Sequence, residues 1–124
     1  MAIDIVQYNA RWLQAWTDKD VGGLLTFYAS DVIYKDPQVP AGLRGHEALR
    51  TYLTGLFAAT PAMRYDPDET WPTHNGFCGR WICTIDGPDG KAYLRGFDLV
   101  VLDGDRITLN EVYTHTLAEK PASA

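Results

Sequence analysis

Two acidic residues interrupt apolar stretches near the end of the chain. Asp98 and Glu111 belong to the segment RGFDLVVLDGDRITLNEVY (residues 95–113), which reads as two strands joined at Asp103-Gly104-Asp105. A carboxylate in the middle of a strand is unfavourable unless it is exposed, paired or used in chemistry. Acids held in apolar surroundings are candidates for general acid–base catalysis.

The length of the turn decides whether these two acids meet. A two-residue turn, either Asp103-Gly104 or Gly104-Asp105, puts Asp98 and Glu111 on one face, directly opposite in one register and diagonal in the other. A three-residue turn would put them on opposite faces. The shared face is the strongest functional indication in the sequence, and an arrangement on opposite faces would contradict an enzyme hypothesis that uses both acids.

Composition bounds the class of protein. The chain has 124 residues, 46% of them hydrophobic and 22% charged, which fits one globular domain spanning residues 1–124. A net charge of −5 argues against nucleic acid as a partner.

Because no apolar run could span a membrane and no signal-like segment opens the chain, we expect a cytoplasmic protein. Cys78 and Cys83 read as reduced apolar residues, and we expect neither a metal nor a cofactor.

The first half of the chain is predicted to be helical. Residues 4–17 show an amphipathic spacing, Val21 to about Tyr28 form a shorter helix capped by Asp20, and a third helix begins near Gly45 or His46 and ends at Thr60-Pro61. Tyr8 and Trp12, on the first helix, are most simply core anchors. The alternative is that one of them points a hydrogen-bond donor into a cavity.

The second half is predicted to form strands. A short earlier strand, VIYKDP, places Tyr34 and Asp36 on one face and ends at Pro37. Residues 63–71 and 77–85 supply two more strands before the hairpin, and the tail from about residue 117 is expected to fray. The sequence therefore predicts an α+β fold with three N-terminal helices packed on a curved, mainly antiparallel sheet.

This order of elements resembles the nuclear transport factor-like cone fold, a cone-shaped α+β barrel, from about residue 8 to residue 113. The segment FYASDV (27–32), followed by Tyr34-Lys35-Asp36-Pro37, resembles the part of bacterial ketosteroid isomerases that carries the proton-shuttling aspartate. Phe97-Asp98 resembles the strand whose protonated aspartic acid donates a hydrogen bond to the oxyanion. The resemblance thus implies that Asp36 is a base and Asp98 a donor.

Two differences from the ketosteroid isomerase pattern make other families of this fold more similar to the chain. The oxyanion tyrosine of those isomerases would fall near Trp12, and Glu111 is an additional acid on the last strand. In these respects the chain is more similar to SnoaL-type polyketide cyclases and to relatives of limonene-epoxide hydrolases. The arginine of those hydrolases would be needed at Gly96, whereas Arg95 stands one residue away and points to the other face, which weakens the hydrolase interpretation.

The resulting hypothesis is a small cofactor-independent acid–base enzyme acting on a compact apolar or cyclic molecule. Asp36 would be the base, Asp98 and Glu111 the acid or oxyanion partners, and Tyr34 a further donor. Burial and a like-charged neighbour both raise a carboxyl pKa, which would keep Asp98 protonated. An isomerase or cyclase fits first, and an epoxide hydrolase or dehydratase second.

Further expectations concern ligand contacts and assembly. We expect Trp12, Tyr8, Phe57 and Tyr113 to contact the substrate, and we expect a homodimer formed through the sheet. The alternative is a non-catalytic small-molecule-binding or dimerising domain of the same fold, with Asp98 and Glu111 exposed or paired and Asp36 merely a turn residue.

Overall fold

A computed structural model describes residues 3–121 of the chain. Its elements, in order, are α1 (Ile5–Thr17), α2 (Val21–Phe27), β1 (Tyr28–Lys35), β2 (Leu43–Arg44), α3 (His46–Ala59), β3 (Met63–Thr73), β4 (Gly76–Gly87), β5 (Gly90–Asp103) and β6 (Arg106–Leu117). The predicted three helices and the later strands are therefore confirmed. β2 was not expected from the sequence, and β3 continues to Thr73, beyond the predicted end at residue 71. Of the tail predicted to fray, residues 118–121 carry no helix or strand, and residues 122–124 lie outside the described part.

Side-chain caps explain where the first two helices begin. The Asp4 carboxylate accepts hydrogen bonds from the backbone N–H groups of Val6 and Gln7, and the Asp20 carboxylate accepts one from Gly23. A Cβ atom on Gly23 would lie 2.3 Å from Oδ2 of Asp20. Glycine at position 23 is therefore what lets the cap close on the helix, despite its low helix propensity.

The six strands form one open sheet in the order β2-β1-β6-β5-β4-β3. β1 runs parallel to β6 and every other pair is antiparallel. The helices cover one face of this curved sheet, which we call the inner face, and buried side chains such as Trp12, Leu53, Phe77 and Val100 form the core between the two layers. The predicted α+β architecture is confirmed. No helix within residues 3–121 is long and apolar enough to cross a membrane.

The hairpin between β5 and β6 departs from its predicted register. Asp103 pairs with Arg106, so Gly104-Asp105 is a two-residue turn, one of the two turns considered, and Gly104 has a φ of 61°. Leu102 then pairs with Ile107, whereas Val101 pairs with Leu109. Thr108 is thus the extra residue of a β-bulge, and a one-residue shift reverses the facing of every later side chain of β6 relative to an unbroken ladder.

The bulge separates the two acids. Asp98 pairs with Val112 and Leu99 pairs with Glu111, so the Asp98 and Glu111 side chains lie on opposite faces of the sheet. The prediction that they share a face is wrong. The turn itself fits the prediction; the unrecognised bulge beyond it is the cause of the error.

Candidate active site

A cavity of about 260 Å³ lies between the helices and the inner face of the sheet. Its wall is mainly apolar, and five of its lining residues are aromatic: Trp16, Tyr34, Tyr52, Tyr65 and Trp81. Two acids, Asp36 and Asp98, also line it. A concave apolar site with a few polar groups is the usual form of a small-molecule site.

Asp36 lies just beyond the end of β1, and its carboxylate accepts four hydrogen bonds. Oδ2 accepts from the hydroxyl of Tyr34 at 2.8 Å and from that of Tyr52 at 2.6 Å. Oδ1 accepts from the backbone N–H groups of Gln38, at 2.8 Å, and Val39, at 3.2 Å. One oxygen therefore organises the turn after Pro37 while the other is held by two phenols, so that this residue has both a structural and a cavity-facing role.

Asp98 lies in the middle of β5 with 2% of its surface exposed. Its Oδ2 accepts a hydrogen bond from Nε1 of Trp81 at 3.2 Å, and its Oδ1 has no hydrogen-bond partner among the described residues. Burial raises the pKa of the Asp98 carboxyl to about 8, because desolvation outweighs the opposing effect of the Trp81 hydrogen bond. Burial thus favours the protonated form of Asp98 near neutral pH, in which the carboxyl group can donate a hydrogen bond.

Glu111 lies on the outer face, opposite Leu99, and is not among the residues that line the cavity. Its Oε1 accepts a hydrogen bond from the hydroxyl of Tyr113 at 2.6 Å, and Tyr113 is itself 59% exposed on the same outer face. The enzyme hypothesis in the form that requires both Asp98 and Glu111 is therefore wrong. Asp36 and Asp98 are the acids that the structure brings to one cavity, and Tyr113 lies away from it.

The other predicted ligand contacts belong to the core beside the cavity. The Tyr8 hydroxyl donates to the backbone oxygen of Asp105 at 2.8 Å, and Nε1 of Trp12 donates to the hydroxyl of Tyr28 at 3.3 Å. Phe57 packs edge-on against Trp16 with ring centroids 5.6 Å apart. Tyr8, Trp12 and Phe57 are absent from the cavity lining, which corresponds to the core-anchor interpretation of the first two.

Four aromatic residues of the site were not singled out from the sequence. Trp16 and Tyr52 belong to the apolar stripes of α1 and α3, Trp81 to the alternating pattern of β4, and Tyr65 to β3. Those patterns identified buried faces. They carry no signal that distinguishes a side chain bordering a void from one packed solidly against its neighbours.

Among residues 3–121, no group of three or more His, Cys, Asp or Glu side chains is placed to hold a metal ion. The cavity wall also offers no lysine, arginine or histidine among the described residues that line it. Acid–base chemistry is what two carboxyl groups in one cavity can support, when burial favours the protonated form of one of them, Asp98.

Comparison with known proteins places the fold in a family. The profile of the SnoaL-like domain matches residues 9–110. No protein of curated function matches the sequence.

Solved structures agree on the fold. A hypothetical protein with a ketosteroid isomerase-like fold from Catenulispora acidiphila, solved with trimethylamine, is 20% identical, with a TM-score of 0.76 over 91% of this chain and 86% of that one. TerC, co-crystallised with polyporic acid, is 17% identical, with a TM-score of 0.73 over 86% and 88% of the two chains. A protein from Shewanella denitrificans, described as a SnoaL-like polyketide cyclase, is 14% identical, with a TM-score of 0.75 over 89% of each chain. The chain belongs to the SnoaL-like family and has the nuclear transport factor-like fold.

Proposed function

We propose that the protein is a small acid–base enzyme of the SnoaL-like type that needs no cofactor and acts on a compact, largely apolar carbonyl compound. One observation carries this proposal: a carboxylate, Asp36, and a neutral buried acid, Asp98, line the same apolar cavity. A second carboxyl group beside an acid that burial favours in its protonated form is the pattern of an acid–base pair, and ketosteroid isomerases use two aspartates in this way.

In the proposed reaction Asp36 removes a proton from the carbon next to the carbonyl. Oδ1 of Asp98, which has no other partner among the described residues, carries the proton that hydrogen-bonds the carbonyl oxygen as negative charge develops there. In an isomerisation the proton held by Asp36 returns to a different carbon of the enolate, and the substrate's double bond moves. In an aldol cyclisation the enolate carbon bonds to a second carbonyl carbon, whose C=O π bond breaks, and the proton passes to the alkoxide oxygen formed there. Neither reaction changes the number of electrons in the substrate.

Asp36 must free a lone pair before it can accept that proton. All four of its hydrogen-bonding positions are occupied, two of them by the hydroxyls of Tyr34 and Tyr52 on Oδ2. Tyr34 is 2% exposed, whereas Tyr52 is only partly buried. The Tyr52 hydroxyl is therefore the one that rotates away when substrate enters.

The size of the cavity and two related structures support a small organic substrate. About 260 Å³ admits a compact molecule. Proteins of the same fold have been crystallised with trimethylamine and with polyporic acid, and a small organic ligand in this cavity would agree with both.

A panel of cyclic enones, polyketide-like ketones and epoxides tests the proposal. We expect turnover by the wild type, and a loss of about 10²-fold or more in kcat for both Asp36→Asn and Asp98→Asn. Glu111→Gln, on the outer face, is the matched control and should keep the wild-type rate. An activity that survives both cavity substitutions would refute the assignment of the site.

A second candidate function is binding without turnover, and the saturated hydrogen bonding of Asp36 favours it. In that case members of the panel would raise the melting temperature of the protein while none is converted.

The free cysteines Cys78 and Cys83 fit a reducing compartment, and we propose a cytoplasmic location.

We further propose that two copies associate through the outer face of the sheet. Phe97 is 40% exposed and Tyr113 59% exposed there. The Trp71 ring lies 5.8 Å from that of Phe97, and the Arg80 guanidinium lies over Trp71 at 5.3 Å. Aromatic residues with an arginine are typical of the centre of a protein interface.

A further inference from the structure

The five aromatic residues of the cavity form a continuous wall. Ring centroids are 5.8 Å apart between Tyr52 and Tyr34, 6.3 Å between Tyr34 and Trp16, 5.8 Å between Trp16 and Tyr65, and 5.0 Å between Tyr65 and Trp81. The angles between successive ring planes are 44°, 27°, 51° and 65°. Such angles belong to rings set around a curved surface, and not to one parallel stack. We call this set of residues the aromatic wall.

The described lining of the cavity contains acidic side chains and no basic ones. Asp36 lies at the Tyr34–Tyr52 end of the aromatic wall, and none of the salt bridges formed within residues 3–121 involves it. No cationic side chain is among the described residues that line the cavity. Among the described residues, the partners of the Asp36 carboxylate are hydroxyl and amide dipoles and not a cation.

We infer that the cavity selects a small organic cation, an alkylated ammonium group, held against the aromatic wall beside Asp36. The faces of tryptophan and tyrosine rings carry negative potential and attract a cation more strongly when water is excluded. Alkyl groups on the nitrogen are stabilised by the apolar surface, and the Asp36 carboxylate supplies an opposite charge that no salt bridge within residues 3–121 neutralises. This inference rests on the proposed function in one respect, namely that the cavity is the site where the ligand binds.

The two ends of the cavity set the shape of such a ligand. Asp36 is hydrogen-bonded to Tyr34 and Tyr52 at one end of the aromatic wall, and Asp98 is hydrogen-bonded to Trp81 at the other end. The ammonium group would lie toward Asp36, and an oxygen acceptor toward Oδ1 of Asp98. The ligand class is therefore a compact alkylammonium compound that also carries a carbonyl or hydroxyl oxygen.

A pair of isosteric probes tests the inference directly. Choline and 3,3-dimethylbutan-1-ol have nearly the same shape, but the second has a neutral carbon in place of the charged nitrogen. Titration of the full chain, followed by calorimetry or tryptophan fluorescence, should show choline binding at least about tenfold more tightly. Equal affinity, or tighter binding of the neutral alcohol, would overturn the inference.

Two substitutions at one position separate the ring from its hydroxyl. Tyr65→Leu removes one ring of the aromatic wall, and the preference for choline should fall about fivefold or more. Tyr65→Phe keeps the ring and loses only the hydroxyl, which contacts Sδ of Met63 at 3.9 Å and interacts with the thiol of Cys83, so the preference should stay. Unchanged binding of 3,3-dimethylbutan-1-ol would show that the Leu variant is folded. If that variant binds neither probe, Trp16→Leu takes its place, and a choline preference unchanged in a folded variant contradicts the inference.

The outcomes for the two proposals are separable. A choline preference without turnover of any carbonyl compound supports the cation site and contradicts the enzyme. Turnover that depends on Asp98, with no preference between the two probes, supports the enzyme and contradicts the cation site.

Discussion

The indole of Trp81 occupies the space in which a side chain at position 96 would lie. The two residues are cross-strand partners, and a Cβ on Gly96 would be 2.1 Å from Cζ2 of the indole. The absence of that Cβ lets the ring lie across β5, where its Nε1 reaches Oδ2 of Asp98 at 3.2 Å. Gly96 is thus a positioning residue for the acid of the candidate site.

Gly96→Ala should displace Trp81 and weaken its hydrogen bond to Asp98. We expect a loss of about 1–3 kcal/mol in the free energy of unfolding from overpacking, together with a fall in kcat. Denaturant unfolding and turnover of the best panel substrate measure both effects. Gly55→Ala is the matched control, because Gly55 is exposed in α3 with nothing within 4 Å of an added Cβ, and it should add about 0.5–1 kcal/mol of stability without changing kcat. If Gly96→Ala changes neither kcat nor stability in a way that differs from Gly55→Ala, the position of the Trp81 indole does not depend on its close approach to Gly96.

The raised pKa of Asp98 predicts a pH-dependent stability. The unfolded chain loses the Asp98 proton near pH 3.8 and the folded chain only near pH 8. Between these values the folded state holds more protons, so the stability that Asp98 contributes is complete below about pH 4 and is lost as the pH rises to 8.

Comparison with Asp98→Asn isolates this effect, because the asparagine does not titrate. The stability of the variant relative to the wild type should increase with pH between 5 and 7, by up to about 1.4 kcal/mol per pH unit. Urea unfolding of both proteins at matched pH values gives the difference. A difference that stays constant across this range would show that Asp98 is ionised in the folded protein.

Tyr52→Phe should increase turnover. The Tyr52 hydroxyl is one of two that occupy Oδ2 of Asp36, at 2.6 Å, and its removal leaves a lone pair free to accept the substrate proton. We expect a several-fold rise in kcat with a loss of about 1.5–3 kcal/mol in stability, the range for a hydrogen bond to a charged group. Tyr93→Phe, which alters a hydroxyl without a hydrogen bond to any described residue, is the control. A large decrease in kcat for Tyr52→Phe would instead mean that this phenol donates to the substrate.

The exposed aromatic residues of the outer face predict a dimer, and negative charges introduced among them should dissociate it. In light scattering at micromolar concentration the wild type should have about twice the 13.9 kDa mass of one chain. The pair of changes Phe97→Glu and Tyr113→Glu should give a monomer, since a buried unpaired charge is strongly destabilising at an interface. Val6→Glu, which changes an apolar residue 63% exposed on α1, should leave the mass unchanged. A monomeric wild type would contradict the proposed association.

Much of the fold was accessible from the sequence because local rules determine it. The apolar stripe of α3, the cap at Asp20 and the Gly104-Asp105 turn each follow from spacing or side-chain chemistry. The common face of Tyr34 and Asp36 also follows from strand alternation, and the structure joins them by a hydrogen bond of 2.8 Å.

The rest depended on features without a local signal. The bulge lies at Thr108, a good strand former that neither glycine nor proline marks, so Glu111 was assigned to the wrong face. The protonation of Asp98 was anticipated from burial and a like charge together, but burial is the first cause of the raised pKa and Glu111 is not among its causes. Which aromatic residues border the cavity depends on long-range packing of α1, α3 and the sheet, which periodicity does not contain.

The bulge at Thr108 also gives this fold a way to change its chemistry without substituting any acidic residue. In an unbroken ladder from the same turn, Thr108 would pair with Val101, and Glu111 would then lie opposite Asp98 on the inner face in place of Val112. A cavity with one buried acid on these two strands would become a cavity with two adjacent ones. In this chain, the loss of a single bulge in the last strand would therefore be enough to move an acidic group from the exposed surface to the cavity.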